Sequence, residues 1–420
     1  MMSCSKELRM PREWTKYHHD ILNEVVDQAL FDEKELTDWL IACGLGKQCS
    51  TYQRYAAAIN PYHFVRCLAV QIENRISKKI ISRTQYYLVG TYMVDDTAES
   101  ACSTMELLQM YDAYIKLDAY CFEEFPRLRS LDEMKQFLRR NETVNVEEKS
   151  IGYLNVLMDH INISARLLLH EGLFTKEDVL EYTSRLSYRH AATLRGFAQE
   201  SANSAITDTI AETLWRRTMA GGVYCILPIL EITSGAMGKI EAQKTLVGEM
   251  YVLSAVFCML VNDWYSYYKE KAENKGERKM RNLLRKMMED AQLSQVVDVL
   301  PKISEMMNEI VRIMYRKMET TKSAYPESPE LHKLMYQIAM ATAGWYFIHD
   351  KACPRYKDTP KEWRCTLVEV DEPELQEWRE NDEKSSELLQ QFLYNSSSKA
   401  KEYIDDISVE KMKRENLQPK

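Results

Sequence analysis

Glycine and proline are both scarce in this chain, 13 and 11 in 420 residues. Turn-rich β architectures and repeat fibres need more of both. The surplus of Leu, Met, Glu, Lys and Tyr favours helices instead. The 10 cysteines are scattered, with no CxxC pair among them. That removes the usual zinc patterns and a disulfide framework, and leaves free thiols of a reducing compartment. Positive charge is also in deficit, 55 Lys and Arg against 63 Asp and Glu. A net charge of −8 argues against nucleic acid as a partner, since phosphate backbones call for a basic face. Apolar runs such as "YVLSAVFCMLV" (251–261) fall short of a bilayer span, and "MMSCSKELRMPREWTKYHHD" has no signal-peptide core. A soluble, cytoplasmic protein without stable membrane insertion is expected.

What is present is helical periodicity. Apolar residues recur at three- and four-residue spacing through 53–73, 75–96, 150–171, 175–200, 207–234, 239–271 and on to "SPELHKLMYQIAMATAGWYFIHDKA". No strand alternation or hairpin signal stands out. The fold class expected is all-α, one domain over residues 1–365. From 366 to 420 the chain becomes highly charged and reads as a C-terminal extension, partly helical. "CGLGK" (43–47) lacks the rest of a phosphate-binding loop and reads as a helix-ending turn. His18, His19 and Asp20 read as a solvated helix face.

Two oxygen-rich strings break the apolar pattern. In "YMVDDTAESA" (92–101), Asp95 and Glu99 share a helix face, with Asp96 beside them. Behind them on the same stripe lie Tyr92, Thr91 and Leu88. Clustered carboxylates suit Mg²⁺, though a solvated acidic helix end fits the string equally well. In "VNDWYSYYKE" (261–270), Asn262, Ser266 and Glu270 follow at i, i+4 and i+8, with Lys269 adjacent. A carboxamide, a hydroxyl and a carboxylate in a row make a ladder of hard oxygens. The preceding "MYVLSAVFCMLVNDW" is apolar all round and reads as buried, so these polar groups need partners.

Together the strings resemble the class I terpene cyclases. Asn262-Asp263-x-x-Ser266-x-x-Lys269-Glu270 matches their NSE motif, and "DDTAE" their aspartate-rich motif. The Lys before the last Glu resembles the fungal trichodiene-synthase-like sesquiterpene cyclases. The resemblance spans about residues 60–365 and implies a helical bundle around an apolar central cavity. It implies metal ligation by Asp95, Asp96, Glu99, Asn262, Ser266 and Glu270, and three Mg²⁺, with Mn²⁺ as a substitute. In such cyclases an arginine about 45 residues before the triad senses diphosphate. "AETLWRRTMAGG" offers Arg216 and Arg217, of which Arg217 is the better spaced to Gly221, the helix-break residue expected to face the substrate. Arg355 and Tyr356 match the family's closing Arg-Tyr pair, and Tyr346 resembles a further diphosphate-contacting tyrosine. One departure stands out: the acidic motif is DDxxE, where some close relatives carry DDxxxD.

The activity so implied is ionisation of an isoprenyl diphosphate. Farnesyl diphosphate is the expected substrate, cyclised to a sesquiterpene hydrocarbon or alcohol, with catalysis resting on Asp95, Arg217 and Gly221. Arg217, Lys269, Arg355, Tyr356 and Tyr346 would bind diphosphate. Leu88 and Tyr92 would line the pocket, with Tyr224 and Trp345 as further cation-facing rings. The rivals are a diterpene cyclase using geranylgeranyl diphosphate, a chain-elongating prenyltransferase, and a non-catalytic helical scaffold. The prenyltransferase would need a second DDxxD where "NDWYS" stands. Relatives of this kind are often homodimers.

Overall fold

The computed structural model describes residues 6–24, 32–68, 75–100, 103–121, 131–140, 148–170, 172, 174–202, 209–240, 243–273 and 282–380. Among these the helices are α1 (Arg12–Leu22), α2 (Glu33–Ala42), α3 (Cys49–Ile59), α4 (Pro61–Cys67), α5 (Arg75–Ser100), α6 (Thr104–Cys121), α7 (Leu131–Arg140), α8 (Glu148–His170), α9 (Lys176–Ala202) and α10 (Ile210–Ala220). They continue with α11 (Val223–Ile226), α12 (Ile229–Ser234), α13 (Lys244–Glu273), α14 (Leu283–Asp290), α15 (Leu300–Ala324), α16 (Pro329–Phe347) and α17 (Glu374–Glu380). The all-α class expected from periodicity is the class found.

Local chemistry explains many of the boundaries. Asp32 caps α2 through its carboxylate, and Thr209 with Glu212 forms a reciprocal capping box at the start of α10. α4 opens on Pro61, where a missing N–H costs nothing. Packing then closes a ring: α4 on α5, α5 on α8, α8 on α9, α9 on α10, α10 on α13, α13 on α16, and α16 back on α4. The helices of this ring turn apolar faces inward. α13 is the extreme case. Over Thr245–Ala272 it is long and apolar enough to cross a membrane, with a mean hydropathy of 1.6, yet that segment is 67% buried inside the bundle. It is a core helix.

No strand signal stands out in the sequence, and two short strands are nevertheless present. β1 (Glu7–Pro11) and β2 (Thr366–Val370) pair in parallel, Glu7 opposite Thr366 and Pro11 opposite Val370. The free edge of β1 is taken up by a helix: Asn308 of α15 donates to the Glu7 carbonyl at 2.9 Å and accepts from the Arg9 N–H at 2.7 Å. Such an edge needs no alternating pattern. Arg9 also grips Glu374 with two bonds, at 2.8 and 2.6 Å. The charged stretch that begins at 366 is thus packed on the bundle as far as Glu380, with Val370, Leu375 and Trp378 buried.

One expectation for the N-terminus is corrected. His18 is not on a solvated face: it is fully buried, and its Nε2 donates to the Met340 carbonyl at 2.7 Å. The next residue, His19, is the solvated one, its side chain 55% exposed. The sequence shows two adjacent histidines but not which of them meets α16.

Candidate active site

The ring of helices encloses a cavity of about 890 Å³, its open mouth included. Its inner wall is apolar: Leu88, Leu157, Leu194, Phe197, Val223 and Ile226 come from α5, α8, α9 and α11. Toward the metal-motif ends of α5, α10 and α13 it is lined by Asp95, Arg217 and Asn262. Tyr92, Trp345 and Phe64 contribute aromatic edges, with Phe64 set edge-on to both other rings at 6.0 and 5.8 Å. Of the expected residues, Leu88, Tyr92, Asp95, Arg217, Gly221, Asn262 and Trp345 are brought to this one space. Tyr224 is buried nearby on α11, outside the lining. Asp96 and Glu99 follow on α5, but their side chains lie outside the described residues.

Arg217 is held by a residue the motif reading had passed over. Its Nη2 and Nε donate to Asp263 at 2.5 and 3.1 Å, and its Nη1 lies 3.6 Å from Glu200. Burial works against the guanidinium charge. Asp263, Glu200 and Glu270 more than offset that, and the net shift in pKa is upward. The arginine therefore stays charged in an apolar wall. α10 stops four residues later. Gly221 caps it by donating to the Arg217 carbonyl at 2.9 Å, and Gly222 turns the chain at φ 65°. That left-handed turn favours glycine. At Gly221 a Cβ would displace the end of the Met259 side chain, whose sulfur lies 2.4 Å from its position.

The oxygen ladder of α13 is satisfied from the next helix. Asn282 caps α14 by accepting from the Leu284 N–H at 3.0 Å. This fixes the amide orientation and turns Nδ2 toward α13. There it donates to the Asp263 carbonyl at 3.0 Å, to Glu270 at 3.3 Å and to Ser266 at 3.4 Å. Ser266 is buried and Glu270 half-buried. Asp263 also accepts from the Leu283 N–H at 2.8 Å. One carboxylate thus joins Arg217, α13 and the start of α14.

A second cavity lies beside the Tyr356 end of the site. Lys269, Arg355 and Tyr356 line it with Tyr265, Tyr268 and Thr359. The two are connected by Asn262, whose Nδ2 donates to the Tyr356 hydroxyl at 3.0 Å. Arg355 lies over the Tyr92 ring, 5.6 Å from its centroid. His349, absent from the sequence-based set, also lines the main cavity and stacks on Tyr356 at 4.8 Å. Its Nδ1 donates to the Trp345 carbonyl at 2.7 Å, so its Nε2 accepts from Asn262 at 3.3 Å. Burial pushes its pKa down to about 4. Tyr346 is not brought to either cavity. Its hydroxyl donates toward Asp350 at 3.2 Å and the ring is buried.

The family description "Terpene synthase family 2, C-terminal metal binding" matches residues 86–313, which contain both oxygen-rich strings. The chain belongs to this terpene synthase family. No curated protein matches it in sequence. Among solved structures, it is similar to the SVS_A2 protein from ancestral sequence reconstruction, at 15% identity and a TM-score of 0.53, over 89% of this chain and 96% of that one. It is also similar to a variant of cucumene synthase, at 12% identity and a TM-score of 0.51, over 82% and 97%. At such identities the likeness speaks for the fold.

A terpene synthase of this family binds metal, and the residues present fit one. Asn262, Ser266, Glu270 and Asp95 offer amide, hydroxyl and carboxylate oxygens, the donors that Mg²⁺ takes. Two of them already face the positive end of the Asn282 amide dipole. Among the described residues no three His, Cys, Asp or Glu side chains converge.

Proposed function

We propose that this terpene synthase is a Mg²⁺-dependent sesquiterpene cyclase of the trichodiene-synthase-like kind, acting on farnesyl diphosphate in the cytoplasm. The observation that carries the reading is one space with two characters. An apolar, aromatic-lined interior suits an isoprenyl tail, and Asp95, Arg217 and Asn262 stand together along its lining. Asp95 with Asn262, Ser266 and Glu270 would hold the metal, and Asp96 and Glu99 are further candidates. Bound Mg²⁺ would neutralise the diphosphate and make it a leaving group.

The chain's own residues supply the rest. Arg217, kept charged by Asp263, donates to diphosphate oxygens as negative charge builds on them. Lys269, Arg355 and Tyr356 add donors from the second cavity. Arg355 sits over Tyr92, which places this donor against a ring of the main cavity. The rings of Tyr92, Trp345 and Phe64 can each stabilise a nearby carbocation by roughly 0.5–2 kcal/mol. The inner wall excludes water, which would otherwise trap the cation as an alcohol. Incubation with C10, C15 and C20 isoprenyl diphosphates and Mg²⁺, read by diphosphate release and gas chromatography–mass spectrometry, tests this. A cyclic C15 product is expected. A cyclic C20 product alone would move the assignment to a diterpene cyclase, and no diphosphate release from any of the three would end it.

A further inference from the structure

Of the two histidines on the cavity wall, one has a ring nitrogen without a hydrogen-bond partner. His190, on α9, lines the cavity and is 1% exposed. Its Nδ1 lies 3.3 Å from the Tyr114 hydroxyl, which lies 3.3 Å from Ser187 Oγ, which in turn donates to Asp118. A carboxylate at the end of such a chain accepts, so the direction of every link is set. Ser187 donates to Asp118, Tyr114 to Ser187, and His190 Nδ1–H to Tyr114. The proton is thereby placed on Nδ1 and the lone pair on Nε2. That Nε2 is buried and has no hydrogen-bond partner.

A structural role would need only the Nδ1 bond. Leaving the other nitrogen unsatisfied costs about 1–3 kcal/mol, and a buried exception of this kind calls for a reason. The ring is also held firmly in place. Tyr87 stacks against it at 5.3 Å, His160 stacks on Tyr87 at 3.9 Å, and the two imidazoles lie 5.9 Å apart. Burial, His160 and Arg189 keep the imidazole neutral, well below the usual histidine range.

Resting on the proposed cyclase reading, we propose that His190 is the base that ends the reaction. A C–H bond next to the cationic carbon breaks, its electron pair becomes the new C=C bond, and the proton goes to the Nε2 lone pair. The positive charge passes from carbon to imidazolium, where the chain ending in Asp118 supports it. No oxidant or co-reactant is needed. The proton leaves to water or diphosphate as the product departs.

The test compares products per diphosphate released, using the full chain, C15 diphosphate and Mg²⁺. His190→Ala should slow the terminal proton transfer by about a hundredfold, so that the parent alkene gives way to other alkenes or an alcohol. Imidazole added to His190→Ala should restore the parent product, whereas pyrrole, of the same shape but without the basic lone pair, should not. Tyr114→Phe removes the hydroxyl that orients the ring without touching the cavity lining. It should shift products in the same direction, and it decides the matter if His190→Ala does not fold. Unchanged product ratios, or equal rescue by pyrrole, overturn the role of His190 alone. A parent chain that releases no diphosphate brings down the cyclase reading, and this inference with it.

Discussion

Replacing Asp263 by Asn isolates the pair that holds Arg217, the proposed diphosphate sensor. The change keeps the shape of the side chain and one oxygen for the Leu283 N–H, and removes only the charge that Arg217 faces. Water cannot take over, because the two side chains are 10% and 0% exposed. Removing one partner of a buried pair costs about 3–5 kcal/mol. Glu200, 3.6 Å away, still sees the cation, so the lower end applies, about 3 kcal/mol. Urea unfolding of the parent, Asp263→Asn, Arg217→Met and the double variant closes a cycle. The double variant should regain stability, because no charge is left stranded, giving a coupling of about 2 kcal/mol or more. Diphosphate release should fall in all three variants and should not return in the double one. A coupling under about 0.5 kcal/mol, the scale of a surface pair, would refute the argument that Asp263 anchors Arg217.

Further outcomes follow from other parts of the site and fold. Asp95→Ala and Asn262→Ala should each abolish diphosphate release while leaving the circular dichroism spectrum and unfolding midpoint near the parent's; full activity in Asp95→Ala would remove it from the metal set. Chelation with EDTA should stop diphosphate release and added Mg²⁺ should restore it; release that persists in EDTA contradicts the proposed metal dependence. Gly222→Ala forces an alanine into a left-handed turn at φ 65°, where its Cβ meets only Thr193 at an ordinary 3.9 Å. The loss should be about 1–2 kcal/mol of backbone strain, read by denaturant unfolding. Burial pulls His18 down to about 4, so between pH 6.5 and 4 the unfolded chain binds the extra proton. Stability should therefore fall as pH falls through that window, by up to about 1.4 kcal/mol per unit for this residue, and His18→Gln should flatten the slope.

How much of this was legible in the sequence depends on where each signal lives. Asn262, Ser266, Glu270 and the α5 stripe from Leu88 to Asp95 are periodic on one helix, and a helical wheel finds them. Arg217 was legible through its spacing to the triad and to the glycine break. Tyr346 had the right spacing too, but one turn of π-type winding at Ile348–Ala352 follows it. Its hydroxyl ends on Asp350 and away from the cavities. The β1–β2 pair joins residues separated by most of the chain, and no local pattern announces that.

The residues missed share a different property: each acts by satisfying another side chain. Asp263 lay inside the quoted motif, yet periodicity assigned it no face of its own, because its partners come from α10 and α14. Asn282 reads as an ordinary helix cap and does cap α14. Only the packing of α14 against α13 turns the other half of its amide onto Ser266 and Glu270. His190 is a single histidine on a long amphipathic helix, indistinguishable in sequence from a satisfied core residue. Its distinguishing feature is one nitrogen bonded and one left over, on a residue that lines a cavity built by many other segments. A ligand motif records which atoms touch a metal. The supports that fix charge, tautomer and orientation come from wherever the fold brings a matching donor, so they become visible only when the bundle closes.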